Sequence, residues 1–193
     1  MGVLEIATVG HPVLRERALE VSREELASRD VQAFIDDMIE TMRAASGAGL
    51  AANQVHSTRR IAVVEVPAAG NPRYPYKPPI PLTVMVNPVL EPLGEDAFEV
   101  NEGCLSVPDL RGTVERYEAV RVRYLDRFGT PVDEVRRGLT AGTFQHEVDH
   151  LDGVLFLDRV RDPATFSTWE QFDRFGREEF EANARALVER VGS

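Results

Sequence analysis

The chain has 193 residues, 22 lysines and arginines against 32 aspartates and glutamates, a formal charge of -10 and a single cysteine. A chain of this size buries roughly two-thirds of its unfolded surface and builds a core without disulfide or metal staples, and one cysteine excludes an intrachain disulfide and fits a reducing compartment. No apolar run approaches the roughly 20 residues of a membrane helix, and the acidic balance opposes a phosphate backbone as main partner.

Residues 22–45 are the first clear periodic segment, with Val31, Phe34, Ile35, Met38, Ile39 and Met42 at three- and four-residue intervals. That spacing predicts one amphipathic helix, opened by a Ser22/Glu25 capping box and closed near Gly47. The small, unbranched stretch from Gly47 to Gln54 suits a close approach of backbone to something else. Arg60 to Val66 reads as a largely buried strand. Residues 67–81 hold six prolines in fifteen positions, which excludes regular helix or central strand and predicts an ordered surface excursion. Its far end leads into a strand over Leu82–Val86.

Between Glu118 and Asp126, Val120, Val122 and Tyr124 alternate with Arg121 and Arg123, the period of a sheet with one wet face. A turn at 126–129 makes this a hairpin with Pro131 to Arg136. Helix resumes near Leu139, with an apolar stripe of Phe144, Val148 and Leu151. A last helix is expected from about Thr168 to Val191, with a Ser167/Glu170 capping box and Gly176 as a kink. No repeat or composition break divides the chain, so 1–193 is taken as one domain, with 168–193 as a helical extension of it.

His146, Glu147 and His150 form His-Glu-x-x-His on the helix that starts near Leu139. Residues four apart on a helix face one way, so both imidazoles can hold one metal while the glutamate leans toward a coordinated water. Cys104, in Asn101-Glu-Gly-Cys-Leu-Ser-Val107, is the candidate third ligand; the bland alternative is a small buried thiol. With no second cysteine, a closed cysteine-rich structural zinc site is excluded. Three ligands with an open position suit a hydrolytic centre.

Three segments in this order, 47–54, 102–106 and 145–150, resemble the bacterial-type peptide deformylase family, and the resemblance runs from His11-Pro-Val-Leu-Arg15 through Asn87-Pro88, Arg111 and Leu151-Asp-Gly153, over about residues 4–160. It implies an α+β fold with antiparallel sheets around the His-Glu-x-x-His helix. It also implies that Cys104, His146 and His150 bind one divalent metal and that Glu147 is the acid/base. The Gln54 side chain and the Leu105 N–H would stabilise the formyl oxygen. The alternative for these two is that Gln54 caps its loop and Leu105 belongs to the core. The implied reaction is hydrolysis of the N-formyl group from formyl-methionyl peptides, releasing formate.

A pocket for the methionine side chain is implied around Ala48, Leu50, Val100, Leu139, Gly142, Thr143 and His146, with Gly47, Gly49 and Gly103 also in contact with substrate. The Gly47–Gly49 backbone would pair with an extended peptide in the manner of strand addition. Ala48 and Gly142 stand where relatives often carry larger aliphatic residues, so either the pocket is wider and tolerance broader, or residues elsewhere fill the volume. Glu102 is expected to pair with Arg116 or another nearby arginine, and the Gln145 amide either to orient the metal-site loop or to lie on the helix surface, neither as a catalytic group. Ferrous iron is the implied physiological metal, with zinc, nickel or cobalt accommodated in purified protein. The rivals are a metallopeptidase cutting internal bonds and a formyl-peptide-binding homologue without turnover. With no targeting segment the expected compartment is the bacterial cytoplasm, with transient ribosome proximity, no stable nucleic-acid binding and no membrane. Oligomeric state is not readable from these residues.

Overall fold

In the computed structural model, residues 2–71 and 73–193 are described. The helix expected over 22–45 is two helices, α1 (Arg23–Leu26) and α2 (Arg29–Ala44). Ser22 and Glu25 form the expected capping box, but Ser28 turns extended and its hydroxyl accepts from Val31 N, restarting the helix. Serine competes with helix continuation in this way because its side chain satisfies an orphan N–H. The buried face of α2 is Val31, Ile35, Met38, Ile39 and Met42, as the periodicity predicts.

Five antiparallel strands form one sheet in the order β1-β2-β3-β6-β7: β1 (Gly49–Ala51), β2 (Ile61–Val66), β3 (Ile80–Pro92), β6 (Ala119–Leu125) and β7 (Pro131–Arg137). A separate hairpin pairs β4 (Ala97–Cys104) with β5 (Val107–Tyr117). The near-continuous apolar run of β2 follows from its place between β1 and β3 with both faces covered. Ala62 and Val64 pack in the cluster containing Ala141 and Phe144, whereas Ile61 and Val63 pack with Ile35 and Met38 of α2. In β6, Val120, Val122 and Tyr124 face the core, and the intervening Arg121 and Arg123 pair outward with Asp133 and Glu91.

The helix that carries both histidines is α3 (Gly138–Leu151), buried along nearly its whole length between the sheet and the hairpin. It stops at Gly153, whose φ of +75° turns the chain where an added Cβ would lie 2.6 Å from the Arg15 carbonyl oxygen. No side chain fits that approach. The C-terminal segment is broken as Gly176 suggested: α4 (Trp169–Gln171), a wide turn over Phe172–Gly176, and α5 (Arg177–Val191). Its cap is Thr168, whose side chain accepts from Gln171 N, one residue later than the expected Ser167 box. Among the described residues, no helix is long and apolar enough to cross a membrane.

Candidate metal centre and its cleft

Three elements meet at one point. Cys104 ends β4, where the register shifts at Gly103/Cys104 and the chain turns into β5. His146 and His150 lie one turn apart on α3, and Gln54 comes from the tight turn Ala52–Val55 that follows β1. Cys104 Sγ is 3.2 Å from His150 Nε2, and the ligand atoms of Cys104, His146 and His150 all lie within 4.8 Å of one another. Tetrahedral bonds of ~2.3 Å to sulfur and ~2.0–2.1 Å to nitrogen separate ligand atoms by about 3.5 Å. The observed spacings bracket that value, so these residues fit a metal ion.

The electrostatics fit as well. His146 Nδ1 lies 2.8 Å from Glu102 Oε2, which fixes the ring and leaves Nε2 for the site. Burial opposes a positive charge on His146, yet the Glu102 carboxylate and the Cys104 sulfur outweigh it and raise its basicity well above the usual range. A field that favours a proton at that place also favours a metal cation. Burial, reinforced by His146, holds His150 well below its usual value, the neutral form a ligand needs.

Behind Glu102 stands a buried charge network. Arg116, 2% exposed, donates through Nε and Nη2 to both Glu102 oxygens at 2.8 Å and through Nη1 to Asp149 at 2.5 Å, and Asp149 also takes Arg159. Burial alone would raise the Glu102 carboxyl, but the guanidinium holds it far below the carboxylate range. The Gln145 amide does not reach the ligands. Its oxygen accepts from Tyr117 N and its nitrogen donates to Tyr117 O, so it ties α3 to the end of β5.

Glu147 is 3% exposed, and among the described residues its Oε2 has no hydrogen-bond partner. Burial pushes its carboxyl up to about 7, against the pull of His146 and Lys77. Its other oxygen rests on Gly49, where an added Cβ would lie 2.2 Å from Oε1. Gly49→Ala therefore displaces the carboxylate. A fall in kcat/KM of about 10²-fold is expected for a misplacement near 1 Å, with metal content unchanged. Equal activity in the two proteins, measured on metal-matched samples, would show that the carboxylate position is immaterial.

Gln54 does two things. Its oxygen accepts from Ala51 N at 2.9 Å, the loop-capping role, while Nε2 points at the site and donates to Ser106 Oγ at 3.1 Å and Cys104 Sγ at 3.5 Å. Leu105, at the turn after Cys104, lines the cleft and also packs against the α2 cluster. Gly47, Ala48, Gly49, Val100, Gly103, Leu139, Gly142 and Thr143 line the same cleft. Leu50 does not. It is fully buried in the cluster with Ile35 and Met38, because alternation along β1 turns it to the opposite face of the sheet from Ala51. At Gly142 the lost volume is taken up from elsewhere: the Phe98 ring lies 3.4 Å from the position of an added Cβ.

The proline-rich excursion, expected at the surface, supplies part of the cleft wall. Tyr74, Tyr76 and Lys77 line the cleft together with Phe98, Asn101 and Arg111. Tyr74 is 6% exposed and its ring meets Trp169, while Tyr76 meets Phe180. Arg111 lies fully buried between Trp169 and Phe172, 4.0 and 4.1 Å from the ring centres. Two aromatic residues and a lysine among prolines were the available signal, and nothing local said which way they turn.

An α+β scaffold that brings a thiol, two imidazoles one helical turn apart and a buried carboxylate to one cleft defines a metal-dependent hydrolase of the His-Glu-x-x-His kind. The family model of polypeptide deformylase matches residues 3–165. The chain is 40% identical over 177 residues to a peptide deformylase of Leptospira biflexa, covering 92% of this chain and 98% of that one. It is 45% identical over 164 residues to peptide deformylase 1 of Corynebacterium glutamicum, covering 85% and 90%. Among solved structures, the Met-Ala-Ser-bound class I type b peptide deformylase of Acinetobacter baumannii superposes with a TM-score of 0.78 at 43% identity, over 82% of this chain and 98% of that one. The actinonin complex from Synechococcus elongatus gives a TM-score of 0.73 at 33% identity, over 98% of this chain and 86% of that one. The chain belongs to the polypeptide deformylase family, metal-dependent hydrolases that remove the N-terminal formyl group from nascent peptides.

Proposed function

We propose that this cleft deformylates formyl-methionyl peptides with Cys104, His146 and His150 as metal ligands and Glu147 as the acid/base. The observation that carries the reading is the buried Glu147 carboxylate, with an oxygen unpartnered among the described residues, beside the three ligand atoms. When bound, the metal supplies Lewis acidity, bringing the pKa of a coordinated water toward neutrality. Glu147, with a carboxyl near 7, takes the proton released on attack at the formyl carbon and hands it to the departing amine, after which formate leaves. Negative charge gathers on the formyl oxygen. The Gln54 N–H that rests on the Cys104 sulfur turns to it, and the Leu105 N–H supplies a second donor. Arg116 and Glu102 hold the His146 ring so that its Nε2 stays on the site.

The substrate backbone enters as an added strand. As the outer strand of its sheet, β1 keeps one edge unpaired, and Gly47, Ala48 and Gly49 line the cleft at that edge. The first side chain lies among Val100, Leu139, Gly142 and Thr143. Phe98 narrows the room at Gly142, so the breadth of substrate rests less on that glycine than its small size suggests. Ferrous iron is the physiological metal of this reading, the bacterial cytoplasm its compartment, and the encounter with ribosome-borne peptides transient.

Anaerobically purified protein reconstituted with ferrous iron, nickel or zinc tests the reading on formyl-Met-Ala-Ser. Formate should appear, the ferrous form should give the highest rate per metal atom, and a chelator should abolish the rate until metal is restored. Internal peptide fragments would point to a metallopeptidase, and saturable binding without formate to a binding protein.

A further inference from the structure

The excursion over residues 67–81 brings the Lys77 cation to the wall of a cleft whose lining includes the apolar side chains of Phe98, Val100 and Leu139. Lys77 Nζ donates to Thr143 Oγ1 at 2.6 Å. That hydroxyl spends its own hydrogen on the Leu139 carbonyl at 3.1 Å, so it can only accept from the lysine. An ammonium has three donors. Among the described residues Thr143 is the one hydrogen-bond acceptor that Nζ has, and the Tyr74 ring lies 5.4 Å away. Burial presses the Lys77 ammonium down to about 8, while the Glu102 and Glu147 carboxylates support its charge. Lys77, half-buried at the cleft wall, is thus a donor with spare capacity facing the cleft.

The free volume of the cleft is about 50 Å³. An apolar cavity of about 150 Å³ takes a benzene molecule, so a methionine side chain, with four heavy atoms to benzene's six, needs about 100 Å³ in proportion. A first residue therefore needs the cleft wall to give way, and the lysine head on its flexible stem is one part of that wall that can move. The lysine stem is a flexible chain of methylenes that can line the pocket for an apolar occupant, while its head answers an acceptor.

We propose that Lys77 is a specificity-determining residue, fitting the side-chain pocket for a first residue that bears a neutral oxygen acceptor, formyl-methionine sulfoxide, as well as for formyl-methionine. The inference rests on the reading of the cleft given above. The sulfoxide keeps the length of methionine and adds one strong acceptor. A carboxylate of similar length is the poorer fit, since it would enter beside Glu102 and Glu147 and meet two like charges.

The test compares formyl-Met-Ala-Ser with its methionine-sulfoxide counterpart on iron-loaded wild-type protein, Lys77→Met and Lys77→Gln. Wild type is expected to favour the thioether by less than about tenfold in kcat/KM. Lys77→Met, which keeps the length of the side chain and removes the donor, should widen that ratio by a further factor of about ten, carried by the KM of the sulfoxide peptide, the size of one hydrogen bond to a charged group. Lys77→Gln, with an amide donor, should fall between. An unchanged ratio, or a loss shared equally by both peptides as a purely structural lysine would give, overturns the proposal while formate from formyl-Met-Ala-Ser leaves the site reading intact. No formate from either peptide overturns both.

Discussion

Glu147→Ala is expected to keep its metal and to lose about 10³-fold in kcat, the middle of the range for a positioned general acid/base. None of the three ligand atoms belongs to Glu147, so the ligand set survives the change. The carboxylate is placed by its backbone on α3 and by the absence of a side chain at Gly49, and burial sets its carboxyl near 7, where it can both accept and return a proton near neutral pH. Removing it also removes an ionisable group from a site that resists its charge, so folding should not suffer. Metal analysis alongside single-turnover kinetics separates the roles. A variant with full metal and near-normal turnover would eliminate Glu147 as the base, and one that loses metal would make it a structural support of the ligands.

Arg116→Met should cost about 3–5 kcal/mol of folding stability, the penalty for leaving buried charges without their partner. The guanidinium is 2% exposed and neutralises Glu102 and Asp149 at once. Metal affinity should fall as well, by about 10–100-fold, because Glu102 would no longer be fixed against the His146 ring. Urea unfolding of the metal-free forms reads the first effect and metal titration the second. The folded-state carboxyl of Glu102 is depressed below its ordinary value of 4.5. Its stabilisation is therefore fully present above that pH and is lost only as pH falls through the folded value. Without the guanidinium, burial raises the Glu102 carboxyl, so the deficit should be largest near neutral pH and shrink as pH falls and the folded variant takes up the proton. An exposed pair would contribute only about 0–1 kcal/mol, so a variant as stable as wild type would place this network at the surface in solution.

The site was more legible than the scaffold. Cys104, His146, Glu147 and His150 could be found because their chemistry is rare and the i,i+4 spacing of the histidines survives any packing. That Glu102, beside Gly103 and Cys104, pairs with a nearby arginine was legible, but the choice of Arg116 over its neighbours comes from the structure. The split at Ser28 was not, because a serine inside a periodic apolar pattern is compatible with either outcome until Val31 N claims its hydroxyl. Leu50 was misplaced because the resemblance put it in the pocket, and a strand of three residues is too short to give a period from which to choose a face. The strands β4 and β5 were visible only as a segment around the cysteine, since their residues mix glycine, charge and proline with few β-branched runs. Tyr74, Tyr76 and Lys77 were hidden by their prolines, which announce an irregular path without a direction.

The C-terminal segment braces the cleft from behind. The family match stops at residue 165, yet Tyr74 and Tyr76 rest on Trp169 and Phe180, and Arg111 is clasped by Trp169 and Phe172. The wall lies within the matched residues and is shored up by a stretch outside them. Substitutions at Trp169 or Phe180 would therefore act on the cleft wall from behind, without changing any residue that lines the cleft.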